Sequence, residues 1–207
     1  MRRMLQLIRD DRGGVGFNLL WVGFIVIFLI PFFWDVGSVQ YARRFAGTGA
    51  DGASLAAAQE YARHLHYAPE WNGIWYGQCP HECTPQQVVL RYRTLPAFGA
   101  PSGIGYGYAQ QYAALNRDEL TAYRSWPQFA GRTVYGVPIP WIVVYVETLR
   151  PVHTAYGPIY GRDFEAPNRA KAVAYLWRWH SWPRRCNKWC TTYDFTFEWK
   201  ITLDKAR

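Results

Sequence analysis

The sequence predicts an α+β fold: a long amino-terminal transmembrane helix that continues into an extracytoplasmic domain of short helices and an antiparallel sheet. Three observations carry this. Residues 15–34 form an apolar run without a charge, residues 35–67 keep helical spacing, and from Arg132 onward the pattern changes to the two-residue alternation of strands. A chain of 207 residues, half of them apolar, retains enough outside the membrane segment for one domain with one core. With 11 Trp and 15 Tyr it is not a disordered chain, since large rings supply the burial that disorder lacks. The formal charge of +8 speaks to solubility and anionic partners rather than to fold.

The membrane segment, VGFNLLWVGFIVIFLIPFFW, has Asn18 as its one strongly polar side chain. At a helical rise of about 1.5 Å per residue it spans the roughly 30 Å hydrocarbon core. A cleaved signal peptide would have an apolar region of about 7 to 15 residues with a small-residue cleavage site close behind it. Here the chain continues as WDVGSVQYARRF, so an uncleaved anchor is expected. Arg2, Arg3, Arg9 and Arg12 precede the segment and only Arg43 and Arg44 follow it closely. The richer side stays cytoplasmic, which predicts a single-pass inner-membrane protein whose bulk is periplasmic or extracellular. Pro31 can kink the helix near its outer end, where neighbouring groups or interfacial water replace the lost hydrogen bond.

Residues 1–14 thus form a cytoplasmic basic terminus, 15–34 the transmembrane helix, 35–67 a helical extension and 68–207 the extracytoplasmic domain. Within the extension, GTGADG at 47–52 predicts a joint, because each Gly costs about 1 kcal/mol against Ala inside a helix. Asp51 would then cap a second run whose small residues Ala53, Ala56, Ala57 and Ala58 admit close approach by another helix. Asn18, Gly23 and Gly37 are the corresponding candidates for helix packing nearer the membrane, and Asn18 can hydrogen-bond between helices there.

Thr84-Pro85-Gln86-Gln87 carries a cap residue, Pro at the first helical position and Gln three after the cap, so a short helix through Leu95 is expected. GAPSGIGYGYAQQYAAL reads as a Gly-rich loop and a second short helix. Asn116-Arg117-Asp118-Glu119 repeats the capping pattern and predicts a helix over LTAYRSW. WIVVYVETL (141–149) is a β-branched central strand, RAKAVAYLWRW (169–179) alternates, and YDFTFEWKITL (193–203) puts its rings and aliphatics on one face and Asp194 to Thr202 on the other.

Following the apolar segment, Asp35-Val36-Gly37, Tyr41-Ala42-Arg43-Arg44, Ala50-Asp51-Gly52-Ala53 and Leu55-Ala56-Ala57-Ala58 together resemble the TadE/TadG-like family of the Tad (tight adherence, Flp) pilus system. Residues 144–152, then Gly161 and residues 169–174, are similar to the strand, Pro-Val, Gly and alternating-Ala ending of TadG-like members. The resemblance implies a non-catalytic, minor pilin-like structural or assembly component. Its implied partners are other pilin-like subunits or pilus-assembly proteins, in a homo- or hetero-oligomer, together with membrane lipid. Processed members are cut after a Gly and carry Glu five residues into the mature helix. Cleavage after Gly13 would put Asn18 there, which favours an uncleaved anchor. The filament-forming pilin subunit and a membrane-tethered adhesin are the alternative roles.

Cys79, Cys83, Cys186 and Cys190 form two matched pairs. Outside the cytoplasm an even count reads as disulfides, with three connectivities open. Four thiolates can also hold zinc, but the spacing is Cys-x3-Cys rather than the usual x2, and neither a metal nor a cofactor is expected. His64 and His66, two apart on a helix, do not face one another. No nucleophile elbow, phosphate-binding loop or His-Glu-x-x-His is present, so an enzyme is not expected. Residues 177–190 interleave Trp177, Trp179, Trp182 and Trp189 with Arg178, Arg184, Arg185 and Lys188 and contain no acid. Such a loop can stack on rings and meet an anionic polymer or surface. The plainer reading packs Trp177 and Trp179 into a strand and leaves the arginines at a solvated hairpin tip.

Overall fold

The structure, a computed structural model, describes residues 11–66, 73–99, 103–129, 131–160 and 164–204. Arg2, Arg3 and Arg9 of the basic terminus and the start of the loop expected after residue 67 lie outside the described residues. The class is α+β, with a long amino-terminal apolar helix, short helices and an antiparallel sheet. Two compact units are distinguished: residues 1–42 with 151–166, and residues 43–150 with 167–207.

Helix α1 runs without interruption over Asp11–His66 and contains Pro31. The joint expected at 47–52 is therefore absent, and Asp51 is a mid-helix residue, its carbonyl accepting the Ser54 hydroxyl at 3.0 Å, rather than a cap. Space explains Gly47 and Gly49 better than flexibility does. A Cβ on Gly49 would stand 1.8 Å from Asp118 Oδ2, and one on Gly47 would stand 3.0 Å from Asn168 Nδ2. Gly there sets how closely the helix approaches its neighbours, and the surrounding packing offsets the helix-propensity cost.

In the first unit, α1 exposes nearly every described side chain of its apolar segment, and Val39 and Ala42 pack on Val152 and Ala166. The connection after Val152 contains the short helix α4 (Gly157–Tyr160).

In the second unit, Ala46, Ala50, Ala53, Ala57, Tyr61 and Leu65 recur at spacings of three or four and are buried. Ala53, Ala57, Ala58, Tyr61 and Leu65 join one core with Ile142, Val144 and Val146, with Ala172, Ala174 and Leu176, and with Phe195 and Phe197. These come from β5 (Trp141–Val152), β6 (Phe164–Arg185) and β7 (Thr191–Leu203). With β1 (Ile74–Trp75) and β2 (Glu119–Gln128) they form a five-stranded sheet in the order β1-β7-β6-β5-β2. β3 (Thr133–Val134) and β4 (Val137–Pro138) make a small separate hairpin.

Helix α2 (Pro85–Arg93) starts as its sequence dictates. Gln87 N donates to Thr84 Oγ1 and the Gln87 side chain accepts from the Thr84 amide, a complete capping box. Helix α3 (Tyr106–Leu115) starts at Gly105, whose φ of 85° suits Gly and where a Cβ would meet the Ala57 carbonyl at 2.7 Å. The pattern at 116–119, which predicts a helix start, is instead a helix end. Asn116 caps the carboxyl terminus of α3, Arg117 turns the chain at φ 61°, and LTAYRSW continues as β2. Pairing of Tyr123, Ser125 and Trp126 with Val146, Val144 and Val143 of β5 overrides the local cap signal.

Candidate assembly and contact surfaces

The helix-packing candidates divide between the two units. Asn18 is exposed, and a Cβ added to Gly23 or Gly37 would meet nothing within 4 Å. Ala53, Ala56, Ala57 and Ala58 are buried, and Ala53, Ala57 and Ala58 belong to the core of the chain itself. The Ala-rich face expected to receive a neighbouring helix is thus already occupied. In that core the alanines lie with residues of the sheet and of helices α2 and α3. What stays open is the apolar first part of α1. It is long and apolar enough to cross a membrane, and none of its apolar window is buried.

Where α1 meets the rest of the second unit, the contact is polar as well as small. Tyr61 and Ser125 hydroxyls are 2.9 Å apart in the core. Asp118, with its side chain fully buried, accepts from Arg150 Nε at 2.5 Å, and Arg150 also donates to the Asn116 carbonyl. Burial raises the Asp118 carboxyl above its ordinary range, and Arg150 opposes that shift through its hydrogen bond and its charge. Asp118 Oδ2 has no hydrogen-bond partner, which is the atom facing Gly49. Tyr123 donates to the Ile104 carbonyl, and burial pushes its hydroxyl up to about 12.

The four cysteines form two parallel bridges, Cys79–Cys186 and Cys83–Cys190, with Cα separations of 5.6 and 5.3 Å. They clasp the 76–84 loop to the β6–β7 turn. Arg184 reinforces the clasp: it pairs with Asp194 at 3.0 Å and donates to the Gly77 carbonyl at 2.7 Å. Asp194 is buried, against the expectation that every other residue of 193–203 faces solvent, because its carboxylate also accepts from the Gly77 amide at 3.3 Å. Gly77 itself lies too close to Thr192 and the Tyr193 carbonyl to carry a side chain. Glu82 pairs with Arg91 at 2.5 Å, and Arg91 stacks over Trp75 at 4.5 Å.

The aromatic and basic stretch expected as a loop is a strand as far as Arg185, paired with β7 to its end, and only residues 186–190 form the turn. A bulge between Leu176 and Arg178 inserts one residue and reverses the alternation beyond it. Trp179 therefore lies half-buried, 6.2 Å from Phe195 and 5.1 Å from Tyr135. Trp177 goes to the opposite face, with Lys200, Arg178 and Arg132 at 4.6, 5.7 and 5.8 Å from its ring. Arg184 is committed to the clasp, whereas Arg185 and Lys188 are exposed. At the turn, Asn187 Oδ1 accepts from the Trp189 and Cys190 amides at 2.8 Å each, and this fixed turn leaves Trp189 88% exposed beside Lys188. Trp182 is partly exposed on the same hairpin.

His64 sits 3.3 Å from Glu60 on the surface of α1. Among the described residues no cluster of three or more His, Cys, Asp or Glu is arranged to hold a metal ion. No curated protein and no solved structure matches the chain. Its amino-terminal part does have a match: residues 14–60, from the edge of the apolar run to the buried stripe of α1, fit the family model of the TadE/G-like Flp pilus-assembly proteins.

Proposed function

We propose that this chain is a non-catalytic assembly component of a Tad-type pilus, minor pilin-like, held in the inner membrane by α1 with its amino terminus cytoplasmic. It engages pilin-like or pilus-assembly partners through the exposed part of that helix. The observation that carries the reading is the division of labour along α1 inside the family-matched segment. The carboxyl-terminal half spends its small residues on the chain's own core, while the apolar half, with Asn18, Gly23 and Gly37, remains uncovered. An uncovered apolar helix with small residues is suited to lipid and to lateral packing against similar helices. The test is crosslinking in native membranes. Cysteine at Gly23 should capture pilus components, while pilus number or length should change when the gene is removed. Normal pili in the deletion strain, with no captured pilus protein, would refute it.

A second reading, a tethered adhesin, is favoured by Trp189 and Lys188 at the rigid turn. An aromatic ring beside a cation, held by two covalent bridges, is preorganised to meet an anionic polymer or a surface. Loss of adhesion in Trp189→Ala, with pili unchanged, would select this role. Abundance of the chain as the main protein of purified filaments would select the filament-forming subunit instead.

A further inference from the structure

Within the first unit, the connection from β5 to β6 is tied to the apolar helix at two depths. Asp35 accepts the Ala155 amide on Oδ1 at 2.6 Å and the Tyr156 amide on Oδ2 at 3.0 Å. The Tyr156 hydroxyl then reaches along the helix and donates to the Phe28 carbonyl at 2.9 Å. Phe28 lies two turns before Asp35, about 10 Å along the axis at the helical rise. The tyrosine therefore runs from the polar end of the apolar segment down into it.

That carbonyl lies three residues before Pro31, next to the Ile27 carbonyl that the proline's missing N–H leaves without its intrahelical donor. Beyond Tyr156, α4 turns Ile159 outward, 72% exposed. From Val152 to Tyr160 the sequence VHTAYGPIY contains no Asp, Glu, Lys or Arg. An uncharged, partly apolar loop with a tyrosine whose ring is apolar and whose tip is polar has the composition of the boundary between headgroups and acyl chains.

We propose that this connection is a second membrane contact of the chain: Tyr156 and Ile159 enter the leaflet that the helix leaves near Asp35, and Asp35 holds the loop there. The proposal rests on α1 spanning the bilayer. If it holds, the chain touches lipid at a point distant in sequence from the anchor, and Asp35 is a positioning residue rather than a surface charge.

The full chain, carrying one added cysteine and its four native cysteines oxidised, is labelled with an environment-sensitive fluorophore. It is then reconstituted into phosphatidylglycerol and phosphatidylcholine vesicles. Three sites are compared: Ile25→Cys on the apolar helix, Gln111→Cys on α3 and Ile159→Cys on the loop. Nitroxide-bearing lipid should quench the probes at 25 and 159, the latter as a residue seated at the interface. Aqueous iodide should quench the probe at 111. Adding Asp35→Ala should move the probe at 159 from lipid to iodide quenching and leave the probe at 25 unchanged. Lipid quenching at 25 with iodide quenching at 159 overturns the proposal alone. Protection of 159 from both quenchers overturns it too, since a protein neighbour would then cover the loop. Iodide quenching at 25 overturns the spanning helix and the proposal together.

Discussion

Alanine at position 49 places a methyl group where Asp118 already stands. The ideal Cβ would lie 1.8 Å from Asp118 Oδ2 and 3.0 Å from its Cγ, so the carboxylate must move. It cannot move freely, because its other oxygen holds Arg150 at 2.5 Å and the side chain is fully buried. Breaking a buried pair by displacing one partner costs about 3–5 kcal/mol. The same substitution gains about 1 kcal/mol of helix propensity, so a net loss of about 2–4 kcal/mol is expected. Gly52→Ala is the internal control: its Cβ would find only Asn116 Nδ2 at 4.0 Å, and the propensity gain should stand almost alone. Urea unfolding of the detergent-solubilised chain, followed by Trp fluorescence, separates the two through opposite shifts of the midpoint at unchanged slope. If Gly49→Ala is as stable as Gly52→Ala, Gly49 is not there for close approach and the account of its contact with Asp118 is wrong.

Reduction of the two bridges should lower stability by about 2–4 kcal/mol for the first one broken, read as a fall in urea midpoint, and non-reducing peptide mapping should recover crosswise-linked fragments. A Cys79–Cys83 fragment would contradict the clasp. Arg184→Glu should destabilise by roughly 3–5 kcal/mol, since it leaves buried Asp194 facing a like charge, whereas Arg185→Glu should leave the midpoint within about 0.5 kcal/mol. Equal effects of the two would remove the structural role of Arg184. The raised carboxyl of Asp118 has a sign that can be checked. The folded chain holds that proton more tightly than the unfolded one, so its contribution is present below the ordinary carboxylate value of about 4 and is lost as pH rises through the higher folded value. Relative to Asp118→Asn, the wild-type midpoint should therefore fall as pH rises through that window, on top of a pH-independent offset from the unpaired Arg150. A wild-type midpoint that gains on the variant with rising pH would mean that Arg150, not burial, dominates.

Most of the architecture was legible because hydropathy periods report it directly. The helical stripe before residue 67, the cap at Thr84 and the alternation of 193–203 each follow from local chemistry. Other features depend on which surfaces meet in three dimensions. Gly47 and Gly49 look like breakers in one dimension and act as contact points against Asn168 and Asp118. Asn116 and Asp118 have the residue types of a helix start, yet β5 recruits the following residues into a sheet. The Ala face from 53 to 58 announces a close partner without saying whether that partner is another chain or the same one. At the candidate contact surface, a single bulged residue decides that Trp177 and Trp179 point to opposite faces, and nothing in the alternation of residues 169–179 encodes it. The long reach of Arg184 to Asp194 and Gly77 was hidden for the same reason, since those positions meet only after the hairpin closes.

The paired bridges change the covalent route along which tension would travel. Pulled between α1 and Trp189, the chain carries load as far as Cys79, crosses sulfur to Cys186 and reaches the turn directly. Everything from helix α2 to the end of β6 hangs off that route as a closed side loop and cannot be drawn out while the bridges hold. A structure wired this way cannot lengthen under tension by unravelling the residues between Cys79 and Cys186.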